Sequence, residues 1–403
     1  MVLKEKATSA TTAQRSKLGG DSFDAPVVIT LAAAHLGHDV FAAFLAPLLP
    51  LLIAKLSIPL SAAGALASLF RAGSLLQPIF GAWADRTDPR YFVVATPLVT
   101  ALCMTTLGVA PDLPSVALLL ALAGVSAAAF HPATAATVTA ASGRKRGSGS
   151  SLYMTGGKLG FATGPLFIVS FVTWFGLERT PLLVVPAALL SATLFLQLRN
   201  KARSRLGTTS RGGVWAAIKE ERKSILLLSG LVVFRSTALV SISTFYPTYL
   251  TGLGNSLMFA GVAMTVYDSC GSGGALVGGT ISDRLGRKSV LLLSQLVSGP
   301  LLYLAISSPG EATGLALIGI AGAMASLSVP VELTLFQELA PRARGTVAGI
   351  WYLLSFEGSV VATLIVGLVA DRIGLGLTLR YCVFASMLCV PFTLALPRGR
   401  KPA

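Results

Sequence analysis

Seven ionisable side chains interrupt apolar stretches of the sequence, where a charge is unusual. A charged group at the centre of a lipid bilayer costs at least ~2.5 kcal/mol, so such residues generally face a protein interior and mark the pathway of a solute or an ion. Three of them are cations and four are carboxylates. The set comprises Asp39, Arg71, Lys158, Arg235, Asp268, Glu332 and Glu357.

The three cations predict recognition of an anionic group. Arginine presents a planar fork that matches a carboxylate or a phosphonate, whereas lysine acts as a point charge. We therefore expect Arg71, Lys158 and Arg235 to contact an anionic solute. Aromatic side chains on neighbouring stretches are candidates for stacking on that solute. These are Tyr153, Tyr246, Tyr267 and Trp351.

The excess of carboxylates over cations indicates that some carboxylates are protonated during part of a working cycle. Glu357 is the first candidate for coupling transport to protons, and Asp39 is the second. The full predicted set of proton-coupling residues is Asp39, His35, His38, Glu332, Glu357 and Asp268.

His35, His38 and Asp39 share one helix face, because they lie three and four residues apart. They could relay protons, line a polar cavity or ligate a divalent metal ion. With three N/O donors and no further ligand evident, the sequence does not predict a metal site. His131 precedes Pro132, which removes a backbone hydrogen bond from its helix, so we interpret His131 as structural.

The composition identifies the class of protein that positions these groups. The chain has 403 residues, of which 53% are hydrophobic and 12% charged, and its mean hydropathy is +0.74. These values exclude a soluble enzyme, a disordered chain and a fibrous protein. The four cysteines lie in apolar stretches without metal-ligand spacing, so neither a disulfide framework nor a zinc site is expected.

Twelve apolar runs are long enough to cross a bilayer, which takes about 20 residues per helix. The sequence therefore predicts an all-α integral membrane protein with twelve transmembrane helices. Their predicted ranges are 25–53, 60–84, 91–110, 115–140, 149–176, 181–198, 223–251, 256–282, 289–307, 311–340, 346–370 and 377–397.

The distribution of basic residues predicts the orientation of these helices. Loops and tails on one side contain 25 lysines and arginines, and those on the other contain four. Because basic loops are retained in the cytoplasm, both termini are expected there. Residues 1–24 are expected to form a disordered cytosolic tail without a signal peptide. Residues 199–222 should form a basic cytosolic linker, and residues 398–403 a second cytosolic tail.

Sequence features recur at a separation of 198 residues. A Gly-x-x-x-Asp-Arg motif that ends at Arg86 recurs with its end at Arg284, and prolines and glycines elsewhere share this displacement. Two parallel repeats predict two pseudo-symmetric six-helix bundles, residues 25–198 and 223–397, with a solute site between them near the membrane midplane.

The repeat also places opposite charges at nearly equivalent points of the two halves. Arg71 maps next to Asp268, and Lys158 maps next to Glu357. We expect each pair to face the other across a central cavity.

The repeated motif lies at the predicted cytoplasmic ends of two helices. Its charges are expected to bridge neighbouring helices, or to meet a helix N-terminus, and so to hold one access state closed. The predicted gating residues are Asp85, Arg86, Asp283, Arg284 and Arg287.

These motifs resemble those of a known family. Gly279-Thr-Ile-Ser-Asp-Arg-Leu-Gly-Arg-Lys288 is similar, almost position for position, to the cytoplasmic loop motif of the major facilitator superfamily. Further motifs resemble the fosmidomycin-resistance branch of its exporters, namely His35-Leu-Gly-His-Asp39, Ser74-Leu-Leu-Gln-Pro78, Phe130-His-Pro132 and Gln337-Glu-Leu339. The resemblance implies the two-bundle fold of that superfamily and transport by alternating access.

Together these inferences predict a secondary active transporter of a small polar, anionic solute in the bacterial inner membrane. Proton-coupled efflux by antiport, as in antibiotic or metabolite export, is the expected mode. A proton- or cation-coupled importer stays open as an alternative, because fold does not fix direction. So does a transporter of divalent metals or metallophores that uses His35, His38 and Asp39.

The same inferences predict what the chain works with. No enzyme activity and no cofactor are expected, because the sequence contains neither a catalytic insert nor an ATPase phosphate loop. The expected partners are the solute, protons and the lipid bilayer, without nucleic acid, and the expected state is a monomer.

Overall fold

The computed structural model describes residues 23–84, 87–88, 90–143, 146–199, 221–310, 312–339 and 344–396, and every regular element within them is a helix. The helices of the first half are α1 (Ala25–Ala42), α2 (Leu45–Leu56), α3 (Leu60–Ala72), α4 (Gln77–Ala84), α5 (Arg90–Thr106), α6 (Leu113–Ala141), α7 (Arg146–Phe175) and α8 (Val184–Leu198). Those of the second half are α9 (Arg222–Gly252), α10 (Leu257–Leu285), α11 (Arg287–Ser307), α12 (Ala312–Ser326), α13 (Ser328–Leu339), α14 (Arg344–Ile373), α15 (Leu375–Ser386) and α16 (Cys389–Ala395).

Within the described residues these helices form twelve helical segments, because α1–α2, α3–α4, α12–α13 and α15–α16 each continue across a short break. Ten segments are long and apolar enough to cross a membrane. The other two are α3–α4, which contains Arg71, and α10, which contains Asp268. The predicted all-α membrane fold with twelve helices is thus confirmed. Each half contains six of the twelve helical segments.

The break between α3 and α4 shapes the centre of the first half. Residues Gly73–Leu76 form a turn of 3-10 helix between the two α-helices. Pro78 lacks a backbone N–H, and its ring conflicts with the carbonyl four residues earlier, at Ser74. The tighter turn accommodates this conflict.

Hydrogen bonds in the two halves recur at the displacement found in the sequence. The Arg90 guanidinium donates to Leu198 O at the end of α8 (3.1 Å). Lys288 Nζ, 198 residues later, donates to Leu396 O just after α16 (3.0 Å). Each cation therefore closes the C-terminal end of the last helix of its half.

A second equivalent contact joins the middles of two helices in each half. Ser126 Oγ on α6 donates to Thr96 O on α5 (3.0 Å). The equivalent positions are Met324 and Ser294, where Ser294 Oγ on α11 donates to Met324 O on α12 (2.7 Å). The two halves therefore share one frame of helix contacts.

Glycines on α7 allow it to pack closely on α1. A Cβ atom at Gly156 would lie 2.2 Å from Ala32 O, and one at Gly164 would lie 2.7 Å from Val40 O. Since the atoms in the way belong to the backbone, small residues are required at this contact. The contact fixes the rotation of α1 about its axis, and with it the direction of the polar face of α1.

The two halves meet at one end of the bundle. We call this end the distal face; it carries the connections at residues 57–59 and 253–256 and lies opposite the described chain ends. There the Asp371 carboxylate at the end of α14 accepts hydrogen bonds from the backbone amides of Leu60 (2.8 Å) and Ser61 (3.0 Å) at the start of α3. A carboxylate of one half thus caps a helix of the other.

Closer to the centre, α3 and α14 remain in contact. A Cβ atom at Gly64 would lie 2.5 Å from Thr363 O. Ser68 Oγ lies 2.8 Å from Val360 O, to which it donates a hydrogen bond. The described arrangement is therefore closed at the distal face.

Candidate functional site

A cavity of about 290 Å³ lies between the two halves. Six helices of the first half (α1, α2, α3, α4, α6 and α7) and two of the second (α9 and α10) contribute to its wall. Its polar lining consists of Arg71, Ser74, Gln77, His131, Ser243, Thr244 and Asp268, and apolar surface comes from Phe70, Phe161 and Met264 among others. An apolar pocket with a few converging polar groups is typical of a site for a small molecule.

Arg71 and Asp268 bring opposite charges to this cavity from the two halves. Arg71 lies in the last turn of α3, and its Nη2 donates to Thr244 Oγ1 on α9 at 3.1 Å. Among the described residues, neither Arg71 nor Asp268 forms an ion pair, and the Asp268 carboxylate has no hydrogen bond. The expectation that these two charges face a common cavity agrees with this placement.

His35, His38 and Asp39 form a compact buried cluster on α1. Asp39 Oδ2 lies 3.1 Å from His35 Nε2, and Asp39 Oδ1 lies 2.9 Å from His38 Nδ1. His35 Nδ1 lies 2.8 Å from Tyr153 O on α7, and the His35 and Tyr153 rings stack with centroids 4.0 Å apart. Burial is nearly complete, since His38 is 0% exposed and Asp39 is 3% exposed.

The cluster continues into neighbouring helices on both sides. Thr100 Oγ1 on α5 lies 3.2 Å from His38 Nε2. On the other side, the His131 ring on α6 lies edge-on to those of His35 and His38, with centroid distances of 5.3 Å. Since His131 also lines the cavity, it connects the cluster with the space between the halves.

Arg235 and Glu332 pair with each other inside the second half. Arg235 Nε lies 2.5 Å from Glu332 Oε1, and Arg235 Nη2 donates to Glu332 Oε2 at 3.0 Å. Trp351 Nε1 also donates to Glu332 Oε2, at 3.3 Å. Arg235 is 7% exposed and Glu332 is 0% exposed. Neither residue lines the described cavity.

The remaining predicted binding residues lie away from the cavity lining. The Tyr246 hydroxyl donates to Ala305 O at 3.3 Å, and Tyr267 is buried in the same apolar core. Lys158 is half-buried on α7 and forms no ion pair within the described part of the chain. The side chain of Glu357, its expected partner, lies outside the described residues.

The second copy of the loop motif bridges three helices of its half. Arg287 Nη1 at the start of α11 lies 2.6 Å from Asp283 Oδ1 on α10, and Arg287 Nη2 lies 3.1 Å from Glu338 Oε1 on α13. Arg284 is exposed. In the first copy, Asp85 and Arg86 lie outside the described residues, so this structure does not describe their predicted gating role.

Sequence reasoning missed the neutral polar groups of the cavity and the place of His131. Ser74 and Gln77 follow Arg71 at intervals of three residues, so they share its helix face, and this spacing could have identified them. Thr244 carries no comparable signal. The sequence suggests only a structural role for His131. Its proximity to His35 depends on how α6 packs against α1, which the sequence does not show.

Comparisons with known proteins identify the family. The family model described as Major Facilitator Superfamily matches residues 31–268 and 260–403. The Fosmidomycin resistance protein of Escherichia coli (strain K12) is 26% identical over 401 residues, which cover 98% of this chain and 96% of that protein. The Uncharacterized MFS-type transporter YfnC of Bacillus subtilis (strain 168) is 28% identical over 389 residues, covering 93% of this chain and 94% of that protein.

Solved structures show the same fold at lower sequence identity. A bacterial homolog of the human lysosomal transporter Spinster, in an inward-facing and unoccupied conformation, matches with a TM-score of 0.80 and 15% identity, over 94% of this chain and 98% of that chain. The nucleoside transporter NupG matches with a TM-score of 0.73 and 13% identity, over 92% and 98%. With a family model that covers most of the sequence, the chain belongs to the Major Facilitator Superfamily and is a multi-pass membrane transport protein, not an enzyme.

Proposed function

We propose that this transporter moves a small anionic solute through the cavity between its halves. One observation carries the proposal: Arg71 of the first half and Asp268 of the second line the same cavity, and neither forms an ion pair within the described residues. Both residues are partly buried, and charged groups removed from water without a partner are costly. A solute whose anionic group contacts Arg71 and whose hydrogen-bond donors contact Asp268 would lower that cost, and it would join the two halves only while it is bound.

Arg71 is the group best placed to hold the anion. Among the described residues its guanidinium donates once, to Thr244, which leaves its other N–H groups for a carboxylate or a phosphonate. Arg235 is less suited, because Glu332 already neutralises it. A cavity of about 290 Å³ with apolar walls favours a small solute that combines an anionic group with some apolar surface.

Asp268 is our candidate for the carboxylate that couples transport to protons. It lies in the cavity wall, whereas Glu332 is buried and bonded to Arg235. Because the solute would contact the ionised Asp268 carboxylate, its binding would compete with a proton at Asp268, which links solute to proton. The coupling role of Glu357 stays a prediction from the sequence.

The direction and location are proposed from the relatives and from the basic residues. The relative from Escherichia coli is named for resistance to fosmidomycin. Efflux is the simplest way in which a membrane transporter gives resistance, so we propose outward transport across the bacterial inner membrane. If both ends of the chain lie in the cytoplasm, as we propose, the distal face is external and the described arrangement is closed toward the outside.

The test uses the full-length protein in proteoliposomes, with radiolabelled fosmidomycin, a phosphonate, as the probe. We expect the protein to bind fosmidomycin. We also expect everted vesicles with an imposed proton gradient to take up fosmidomycin. Arg71→Gln should weaken binding by about 10- to 100-fold, because it removes a charge-assisted contact worth ~1.5–3 kcal/mol. Asp268→Asn should still exchange solute across the membrane but should lose accumulation driven by the gradient.

The matched control for Arg71→Gln is Arg372→Gln, which removes an exposed arginine far from the cavity. Wild-type binding in a folded Arg71→Gln variant would refute the assignment of the anion. Gradient-driven accumulation that survives in Asp268→Asn would move the coupling role to another carboxylate. Accumulation only in right-side-out vesicles would reverse the proposed direction.

A further inference from the structure

All three histidines of this chain converge on one carboxylate. His35, His131 and Asp39 each offer a ligand atom, and these atoms all lie within 4.8 Å of one another. The ligand atoms come from two helices, α1 and α6, which pack against each other. The proposed transport of an anion at Arg71 does not use this cluster.

The hydrogen bonds of His35 fix the direction of its lone pair. A carbonyl oxygen only accepts, so the contact of 2.8 Å with Tyr153 O requires the proton on His35 Nδ1. In the neutral ring, Nε2 then carries a lone pair, which points at Asp39 Oδ2 from 3.1 Å. Two acceptors at this distance repel each other unless a positive species lies between them.

His131 supplies a metal-ligand atom from outside α1, which the sequence alone did not identify. Its described contacts are ring contacts with His35, His38 and Phe130, and it has no hydrogen-bond partner among the described residues. A proton between His35 and Asp39 would satisfy their contact but would give His131 no role. A cation that takes three ligands uses all three groups.

The surroundings of these atoms resemble the outer shell of a metal site. Ligating histidines typically donate their second ring N–H to a carbonyl, as His35 does to Tyr153 O, and ligating carboxylates are held by further polar contacts, as Asp39 Oδ1 is by His38 Nδ1 at 2.9 Å. Gly157 leaves the required space, because a Cβ atom there would lie 2.5 Å from His35 Nε2 and 2.8 Å from Asp39 Oδ2.

We propose that His35, Asp39 and His131 form a binding site for a divalent transition-metal ion, with Zn²⁺ as the reference ion. Two imidazoles and one carboxylate are a common ligand set for Zn²⁺, which keeps a fourth position for water or another ligand. His131 lines the cavity between the halves, so the ion can enter from the cavity and the open position faces it. The site is a resident site of the first half, separate from the anion contact at Arg71.

The experiment titrates the purified full-length protein in detergent with Zn²⁺ by calorimetry, and with Co²⁺ by visible absorption. We expect one site per chain, and for Co²⁺ a spectrum of N/O ligation. His131→Gln and Asp39→Asn should each weaken binding by ~100-fold or more, since loss of an outer-shell partner alone costs ~10–100-fold. His38→Asn should fall within that smaller range, because His38 only orients Asp39.

Two controls separate the site from general effects. Asp112→Asn removes an exposed aspartate of the loop before α6, and Thr100→Val removes a hydroxyl that contacts the far side of His38 and Ser126 Oγ but none of the three proposed ligands. Neither should reduce the affinity for Zn²⁺ more than a few-fold. If Asp39→Asn fails to fold, His131→Gln carries the test, because His131 has no hydrogen bond to lose among the described residues.

Several results would overturn the proposal. If the wild-type protein binds no metal ion, the cluster is a proton site. If binding survives both ligand substitutions, the ion binds elsewhere. The assay measures the metal without transport. Its outcome is therefore independent of the solute and coupling experiments above.

Discussion

Replacing Asp371 by asparagine should shift the protein away from the state that is closed at the distal face. In the described arrangement the Asp371 carboxylate accepts hydrogen bonds from Leu60 N at 2.8 Å and Ser61 N at 3.0 Å, at the N-terminus of a helix in the other half. These bonds exist only while the distal ends of α3 and α14 are together. Their loss therefore changes an equilibrium between states and not only the stability of the fold.

The size of the effect follows from the exposure of Asp371. An exposed carboxylate at a helix N-terminus contributes ~0.3–1 kcal/mol, and asparagine keeps one acceptor oxygen but no charge. We take ~1 kcal/mol as the upper value, which corresponds to about a fivefold change in the ratio of open to closed molecules. The effect should shrink at high salt, because the interaction is solvent-exposed.

The assay measures the distance between spin labels at exposed positions of the distal face. Labels at Glu178 of the first half and Leu253 of the second report separation of the halves, in a background without the native cysteines. The matched control is Asp112→Asn. Asp112 accepts from Ser115 N at 2.9 Å on the same face, but both residues belong to the first half. The hydrogen bonds with Ser115 lower the pKa of Asp112, so the control also removes an ionised group.

We expect Asp371→Asn to enlarge the long-distance population about fivefold, whereas Asp112→Asn should leave it unchanged. Equal populations in wild type and Asp371→Asn would show that the capping contact does not contribute to closure. Equal shifts in both variants would indicate a general effect of lost charge at this face. Either result would refute the reasoning.

Two further predictions concern stability and topology. Glu332→Gln should destabilise the protein by ~3–5 kcal/mol, because it leaves Arg235 buried without a countercharge. The control Glu338→Gln removes a half-exposed partner of Arg287 and should cost no more than ~1 kcal/mol. Both changes are measured by thermal unfolding in detergent. A cysteine introduced within residues 199–222 should react with a membrane-impermeant reagent only from the cytoplasm, and one near Arg179 only from outside; reaction of both from one side would contradict the proposed orientation.

The sequence was sufficient for the fold and for the correspondence between the positions of Arg71 and Asp268 in the two halves. Apolar runs of sufficient length define the helices, and the displacement of 198 residues places Arg71 and Asp268 at nearly equivalent points on either side of the interface. Both inferences depend only on length and periodicity. They do not require knowledge of how any helix is rotated about its axis.

The sequence could not separate charges that face the cavity from charges that pair within one half. Arg235 and Glu332 interrupt apolar helices just as Arg71 does, but they pair with each other. Helices surrounded by lipid and by other helices lack a clear polar face, so their rotation is set by close packing, as at Gly156 on α7. For the same reason the approach of His131 to α1 was not predictable.

The shared frame of the two halves carries two different polar clusters at equivalent places. Tyr153 and Trp351 are separated by the repeat displacement, and each contacts the cluster of its own half. Tyr153 O receives the N–H of His35, and Trp351 Nε1 donates to Glu332. The clusters therefore occupy corresponding positions on the first, fourth and fifth helical segments of each half.

What differs between the clusters is how their charge is compensated. In the second half Arg235 supplies a permanent cation to Glu332, so the cluster is complete and serves as a fixed part of the bundle. In the first half Asp39 faces imidazoles, which carry no permanent charge, and it is next to a histidine that reaches the cavity. The metal ion proposed above would supply the cation that this carboxylate lacks. In this proposal a bound metal ion completes the cluster of the first half, in the place that Arg235 takes in the second.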